Sequence, residues 1–167
     1  MTFNNLIQAI EFEEKVKVAK KIGEDFLRKL AADSETDLLF QIKFSKIGID
    51  PLYHTPLNLI EQVNQTYTLL VTAEALKYLF KHHSQAAPFI ISPGPQSGTD
   101  IFSEDKLKVA VETFAAVDPN NNQKLKKDII RVSETKAKHK YVFYYSPVKE
   151  IPSYAIRNDV KVFRVEL

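Results

Sequence analysis

Apolar residues recur at threes and fours along the first thirty positions. Leu6, Ile10, Val16, Ala19, Phe26 and Leu30 follow this spacing without an intervening proline, which predicts a helix over residues 5–32, with Gly23 marking a kink or a break. The rhythm then changes. In residues 38–44, Phe40, Ile42 and Phe44 alternate with other side chains, a period that predicts a strand. Gly48-Ile49-Asp50-Pro51 reads as a turn, and Thr55-Pro56 as a helix start, with threonine as cap and proline at the first position. Residues 57–82 are helical in pattern, in two pieces that part near Gln65-Thr66. The second piece ends in Lys81-His82-His83, cations suited to a helix C-terminus.

The second half is patterned mainly as strands. Residues 88–92 form a short apolar strand, followed by the loop 93–98. Residues 99–102 and 108–117 read as two strands joined by the polar turn Ser103-Glu104-Asp105-Lys106, and Asp118-Pro119-Asn120 ends the second. A helix over 122–134 carries Leu125, Ile129 and Val132 on its buried stripe, and residues 140–145 and 160–167 are strands. Tyr141, Phe143, Tyr144 and Tyr145 offer rings that could stack bases, although a strand of this kind usually sits in a core. The order predicts one α/β domain over 1–167 with a mixed central sheet.

Composition narrows the chemistry. The 167 residues are 44% hydrophobic, enough to bury a core, and contain no cysteine, which excludes disulfide scaffolds, thiolate metal sites and a cysteine nucleophile. No apolar run approaches the roughly 18 residues of a membrane helix, and residues 1–12 lack a secretory signal pattern. The expectation is a cytoplasmic protein without a membrane partner. The net charge of +2 conceals a basic stretch at 121–140, where Lys124, Lys126, Lys127, Arg131, Lys136, Lys138 and Lys140 face only Asp128 and Glu134. Such a stretch suits a polyanion, or is simply a solvated face.

Glu112 is the acid that needs an explanation. It lies in Val109-Ala110-Val111-Glu112-Thr113-Phe114-Ala115, where a strand would direct it to the same face as Ala110 and Phe114. Burying a lone carboxylate there is costly unless something pairs with it. If the strands on either side of the 103–106 turn pair, Asp100 converges with Glu112 at one sheet edge. Two such carboxylates suit Mg²⁺ or Mn²⁺. The alternative is that Asp100 organises its turn and Glu112 reaches solvent. The other candidates are weaker. The loop 93–98 lacks the ending of a phosphate-binding P-loop, and its serine is one place late for a nucleophile elbow. Adjacent His82 and His83 diverge on a helix, and His54 and His139 stand alone in the sequence.

An acid on a first helix, an aspartate opening a strand, a glutamate about a dozen residues on, and then a basic helix together resemble the PD-(D/E)XK nuclease superfamily. The resemblance covers roughly residues 20–44 and 88–167, with an inserted helical element at about 50–85. It implies a restriction endonuclease-like mixed sheet flanked by helices. It also implies Mg²⁺ or Mn²⁺ bound by Asp100 and Glu112, with support from Glu24, and hydrolysis of phosphodiester bonds in DNA. The family places a lysine two residues after the glutamate, where this chain has Phe114. Lys124, in the first turn of the next helix, is the expected substitute as electrostatic group, with Lys126, Lys127 and Arg131 gripping phosphates. Two alternatives stay open: a catalytically inactive nuclease-fold module that binds nucleic acid or a protein, and an interaction protein whose helices over 56–82 pack on another subunit, a homodimer included.

Overall fold

In the computed structural model of the chain, the first helix, α1, spans Leu6–Ala31. The structure describes residues 1–32, 37–92, 98–150, 152–155 and 159–167. Ala9, Phe12, Val16 and Ala19 form the buried stripe of α1, while Ile7, Ile10 and Val18 on its other sides are exposed. Two compact units are present, one made of Met1–Ile10 with Val71–Leu167 and the other of Glu11–Leu70.

The Glu11–Leu70 unit contains most of α1, the helix α2 (Leu38–Phe44), the two-residue strands β2 (Gly48–Ile49) and β3 (Pro56–Leu57), and the first half of α3 (Leu59–His83). Gln62 organises it. This side chain is buried, donates from Nε2 to the Ala19 carbonyl at 2.7 Å and accepts the Ile49 N–H on Oε1 at 3.0 Å. A Cβ on Gly23 would stand 2.7 Å from Gln62 Nε2, so the glycine serves a close approach, and α1 runs through it unbroken.

Three local expectations are corrected here. Residues 38–44 form the helix α2 rather than a strand, because Asp37 caps the first turn by accepting from the Phe40 N–H at 3.0 Å. Phe40 and Phe44 then stack at i,i+4 with ring centroids 5.2 Å apart. Thr55-Pro56 does not start α3. Pro56 lies in β3 and Asn58 is the cap, accepting from the Glu61 N–H at 2.9 Å. Finally, α3 does not break at Gln65-Thr66, since a continuous helix buries apolar side chains on several sides, Leu59, Leu69, Leu76 and Leu79 among them.

The other unit is mixed α/β. Its sheet contains β1 (Thr2–Phe3), β4 (Phe89–Ile91), β5 (Ile101–Ser103), β6 (Val109–Ala115), β7 (His139–Tyr145) and β8 (Lys161–Arg164), hydrogen-bonded in the order β1-β4-β5-β6-β7-β8. Pairs are antiparallel from β1 to β6 and parallel across β6-β7-β8. The helix α4 (Lys124–Ser133) is the crossover between β6 and β7, the connection a parallel pair requires. Alternation then divides the residues of the sheet. Phe114, Val142 and Tyr144 pack with Leu125, Ile129 and Val132 of α4. Thr113 faces the other way, where its hydroxyl meets that of Thr72 on α3 at 2.9 Å. Tyr141 and Phe143 lie on that second face against Tyr78, so Tyr141, Phe143 and Tyr144 are core residues. Most of the loop expected at 93–98 lies outside the described residues. No helix among them is long and apolar enough to cross a membrane.

Candidate functional site

The turn after β5 sets the geometry. Asp105 Oδ1 accepts from Ser103 Oγ at 2.8 Å and from the Leu107 N–H at 3.1 Å, and Lys106 takes a left-handed conformation, so the chain reverses tightly into β6. Ile101 consequently pairs with Val111 and Phe102 with Ala110. Asp100 immediately precedes β5, and its charge acts on Glu112. Asp100 Oδ2 accepts from the Thr113 N–H at 2.7 Å and from the Thr113 hydroxyl at 3.2 Å, which fixes this carboxylate at the strand edge.

Glu112 is completely buried. Its Oε2 accepts from Arg131 Nη1 at 3.3 Å, and its Oε1 has no hydrogen-bond partner among the described residues. Burial, reinforced by the negative charges of Asp100 and Asp128, pushes its pKa up to about 8 despite Arg131 and Lys124. Asp128 lies on the buried side of α4, between Leu125 and Val132. Its Oδ1 accepts from Lys124 Nζ at 2.8 Å, its Oδ2 is likewise without a partner, and burial raises its pKa as well. Lys124 Nζ also stands 5.5 Å from the centre of the Phe114 ring. Three acids and two cations from β6, α4 and the lead-in to β5 therefore act on one another, and two carboxylate oxygens remain unsatisfied.

The remaining sequence candidates are distributed as follows. Lys126 and Lys127 are exposed on α4. Arg131 is half-exposed and engages Glu112 through Nη1. Lys140 donates to the Ser133 carbonyl at 2.6 Å. Glu24 belongs to the Glu11–Leu70 unit, where its carboxylate is 3.8 Å from Lys20 Nζ. Asn121–Gln123 form a 3-10 turn ahead of α4, and Gln123, the residue before the helix, makes no side-chain cap.

Sequence reasoning passed over Asp128, although its spacing from Leu125 and Val132 puts an acid on the apolar stripe and could have flagged it. It also treated His139 as isolated, whereas the structure sets its ring 4.2 Å from that of His83. In the Glu11–Leu70 unit, a cavity of about 470 Å³ is walled by Phe26, Leu30, Ile47 and Pro56 with Lys29 and Lys46, and its described lining includes no acid or nucleophile. Among the described residues, no three His, Cys, Asp or Glu side chains are grouped so as to hold a metal ion. No family model, curated protein or solved structure matches the chain.

Proposed function

We propose that the sheet-bearing unit is a nuclease-like module that hydrolyses phosphodiester bonds in DNA, with Asp100 and Glu112 holding Mg²⁺ or Mn²⁺. The carrying observation is Glu112 itself, a fully buried carboxylate with one oxygen unpartnered among the described residues, beside the charge of Asp100. Such a group is expensive to bury, and Arg131 engages only one of its oxygens. Hard carboxylate oxygens fit Mg²⁺ and Mn²⁺, and Mg²⁺ is ordinarily held by one or two carboxylates with water and substrate phosphate completing the shell. Two acids are therefore sufficient.

The element order supports the same reading. The antiparallel β4–β5–β6, the crossover α4 and the parallel β7 agree with a restriction endonuclease-like core. When bound, the ion would activate water and stabilise charge on the phosphate. Lys124 keeps a positive charge near Glu112, held by Asp128 and resting over Phe114, so the ring at the family's lysine position supports a lysine supplied from α4. Lys126 and Lys127 extend that charge outward to neighbouring phosphates. Glu24, paired with Lys20, is not needed.

A second reading, an inactive nuclease-fold module that binds nucleic acid, is favoured by Phe114, which is core-packed and carries no charge. Incubation of the protein with plasmid DNA and Mg²⁺ or Mn²⁺ separates the two. The nuclease reading expects cleavage that is abolished by Glu112→Gln and lowered about tenfold or more by Lys124→Ala, the scale of one lost electrostatic contact in the transition state. Salt-sensitive DNA binding without cleavage under either metal puts the second reading in its place.

A further inference from the structure

A basic cluster occupies the other face of the sheet, at the end where β7 begins. His83 closes α3 with its Nε2 2.6 Å from Tyr141 Oη, and its ring packs 4.2 Å from that of His139. His82 lies on Tyr78 at 4.3 Å, and Tyr78 in turn packs edge-on against Tyr141 with ring centroids 5.6 Å apart. Lys161 stands beside Tyr141 in the β7–β8 register, and Lys138 immediately precedes His139. The groups facing the two rings are thus Tyr78 and His82 from α3, Lys138 and Tyr141 from the β7 segment, and Lys161 from β8. His82, His139 and Lys161 act on His83, and Lys138 and Lys161 act on His139. All of these perturbing charges are basic.

The helix C-terminus alone does not account for this. Cations there suit the negative end of the helix dipole, which covers His82 and His83. His139, Lys138 and Lys161 come from strand segments, and gathering them at the same place adds like-charge repulsion that an anion would relieve. We propose that His83, His139 and Lys161 form a binding site for a phosphate group, on the sheet face opposite Glu112. Imidazole N–H and ammonium donors make charge-assisted hydrogen bonds to phosphate oxygens, and Tyr141 fixes one nitrogen of His83 and hence the direction of its ring. This site stands independently of the nuclease reading.

Burial, then the surrounding cations, holds both histidines below their ordinary pKa. The rings are therefore mainly neutral at pH 7, and a bound phosphate raises their pKa and draws in protons. Binding accordingly strengthens as the pH falls from 8 to 6. The test is a histidine-ring NMR titration of the full chain with inorganic pyrophosphate in one arm and a short DNA duplex in the other, against NaCl at matched ionic strength. The expected result is a saturable shift of the His83 and His139 signals, larger at pH 6 than at pH 8, and lost in His139→Gln. Lys161 is exposed, so Lys161→Gln is a second variant that should fold normally and bind weakly. Shifts with pyrophosphate assign the site to free phosphate compounds, and shifts with the duplex alone assign it to nucleic-acid phosphates. Signals that follow the NaCl control in both arms, or wild-type binding by the folded variants, overturn the proposal.

Discussion

On the α4 face of the sheet, Glu112 and Asp128 are buried as acids, each with one unsatisfied oxygen. On the α3 face, His83 and His139 are half-buried bases packed against each other, with His83 also against Tyr141. Burial penalises charge on both faces, yet it moves the two sets of groups in opposite directions. The acids are raised and the histidines lowered. What differs is the need for a partner: a histidine becomes neutral by releasing a proton near neutral pH, whereas Glu112 must take up a proton or meet a cation. On the readings proposed above, the acid face holds the metal and the histidine face holds the anion.

The largest expected effects test whether the faces are equivalent in packing but not in function. Phe114→Ala and Phe143→Ala each remove a nearly fully buried ring and should each cost about 3–5 kcal/mol in urea unfolding. Only Phe114→Ala should also impair cleavage, because only Phe114 lies under Lys124. Next is Arg131→Met, which leaves Glu112 buried without its hydrogen-bonded cation. Breaking a buried pair costs about 3–5 kcal/mol, and the exposure of the Arg131 side chain reduces that to about 1–2 kcal/mol. The loss should be greatest above pH 8 and shrink at pH 6, where Glu112 carries a proton.

A smaller effect is visible in thermal melts across pH. Glu112 has a pKa of about 8 in the folded protein against 4.5 ordinarily, so between those values the folded state holds the extra proton. Its contribution makes stability fall as pH rises through that window, and Glu112→Gln should remove the slope. The histidines give the opposite limb. Their folded pKa lies below 6.5, so the stability they contribute is present above that value and is lost as pH falls through the lowered one. His83→Gln should flatten that acid limb and leave the alkaline one. The smallest change in stability, within about 0.5 kcal/mol, is expected from reversing exposed Lys126 and Lys127 to Glu. That double variant should nonetheless bind DNA more weakly and with a flatter salt slope, because fewer counterions are released.

The parts legible in the sequence are those where one pattern dominates. The apolar stripe of α4 and the runs that became β6 and β7 met no competing signal, and the polar turn at 103–106 indicated the antiparallel pairing of β5 with β6. Residues 38–44 misled because Phe40, Ile42 and Phe44 alternate, while the cap from Asp37 and the Phe40–Phe44 pair decide for helix. Gly23 and the polar Gln65-Thr66 suggested breaks because their meaning is tertiary: Gly23 makes room for Gln62, and Thr66 is buried. The approach of Arg131 to Glu112 and the stacking of His83 on His139 depend on crossovers that bring distant segments together, so no local spacing announces them. Asp128 was readable, as an acid on an otherwise apolar stripe.

Mn²⁺ binding followed by electron paramagnetic resonance goes directly to the carboxylate pair. The wild-type protein should bind Mn²⁺ saturably at one site. Glu112→Gln and Asp100→Asn should each weaken that site at least about tenfold, no less than the loss of an outer-shell partner, and Lys124→Ala should leave it nearly intact. Absence of a saturable site, or binding in Glu112→Gln equal to wild type, would contradict the assignment of Asp100 and Glu112 as the metal-holding pair.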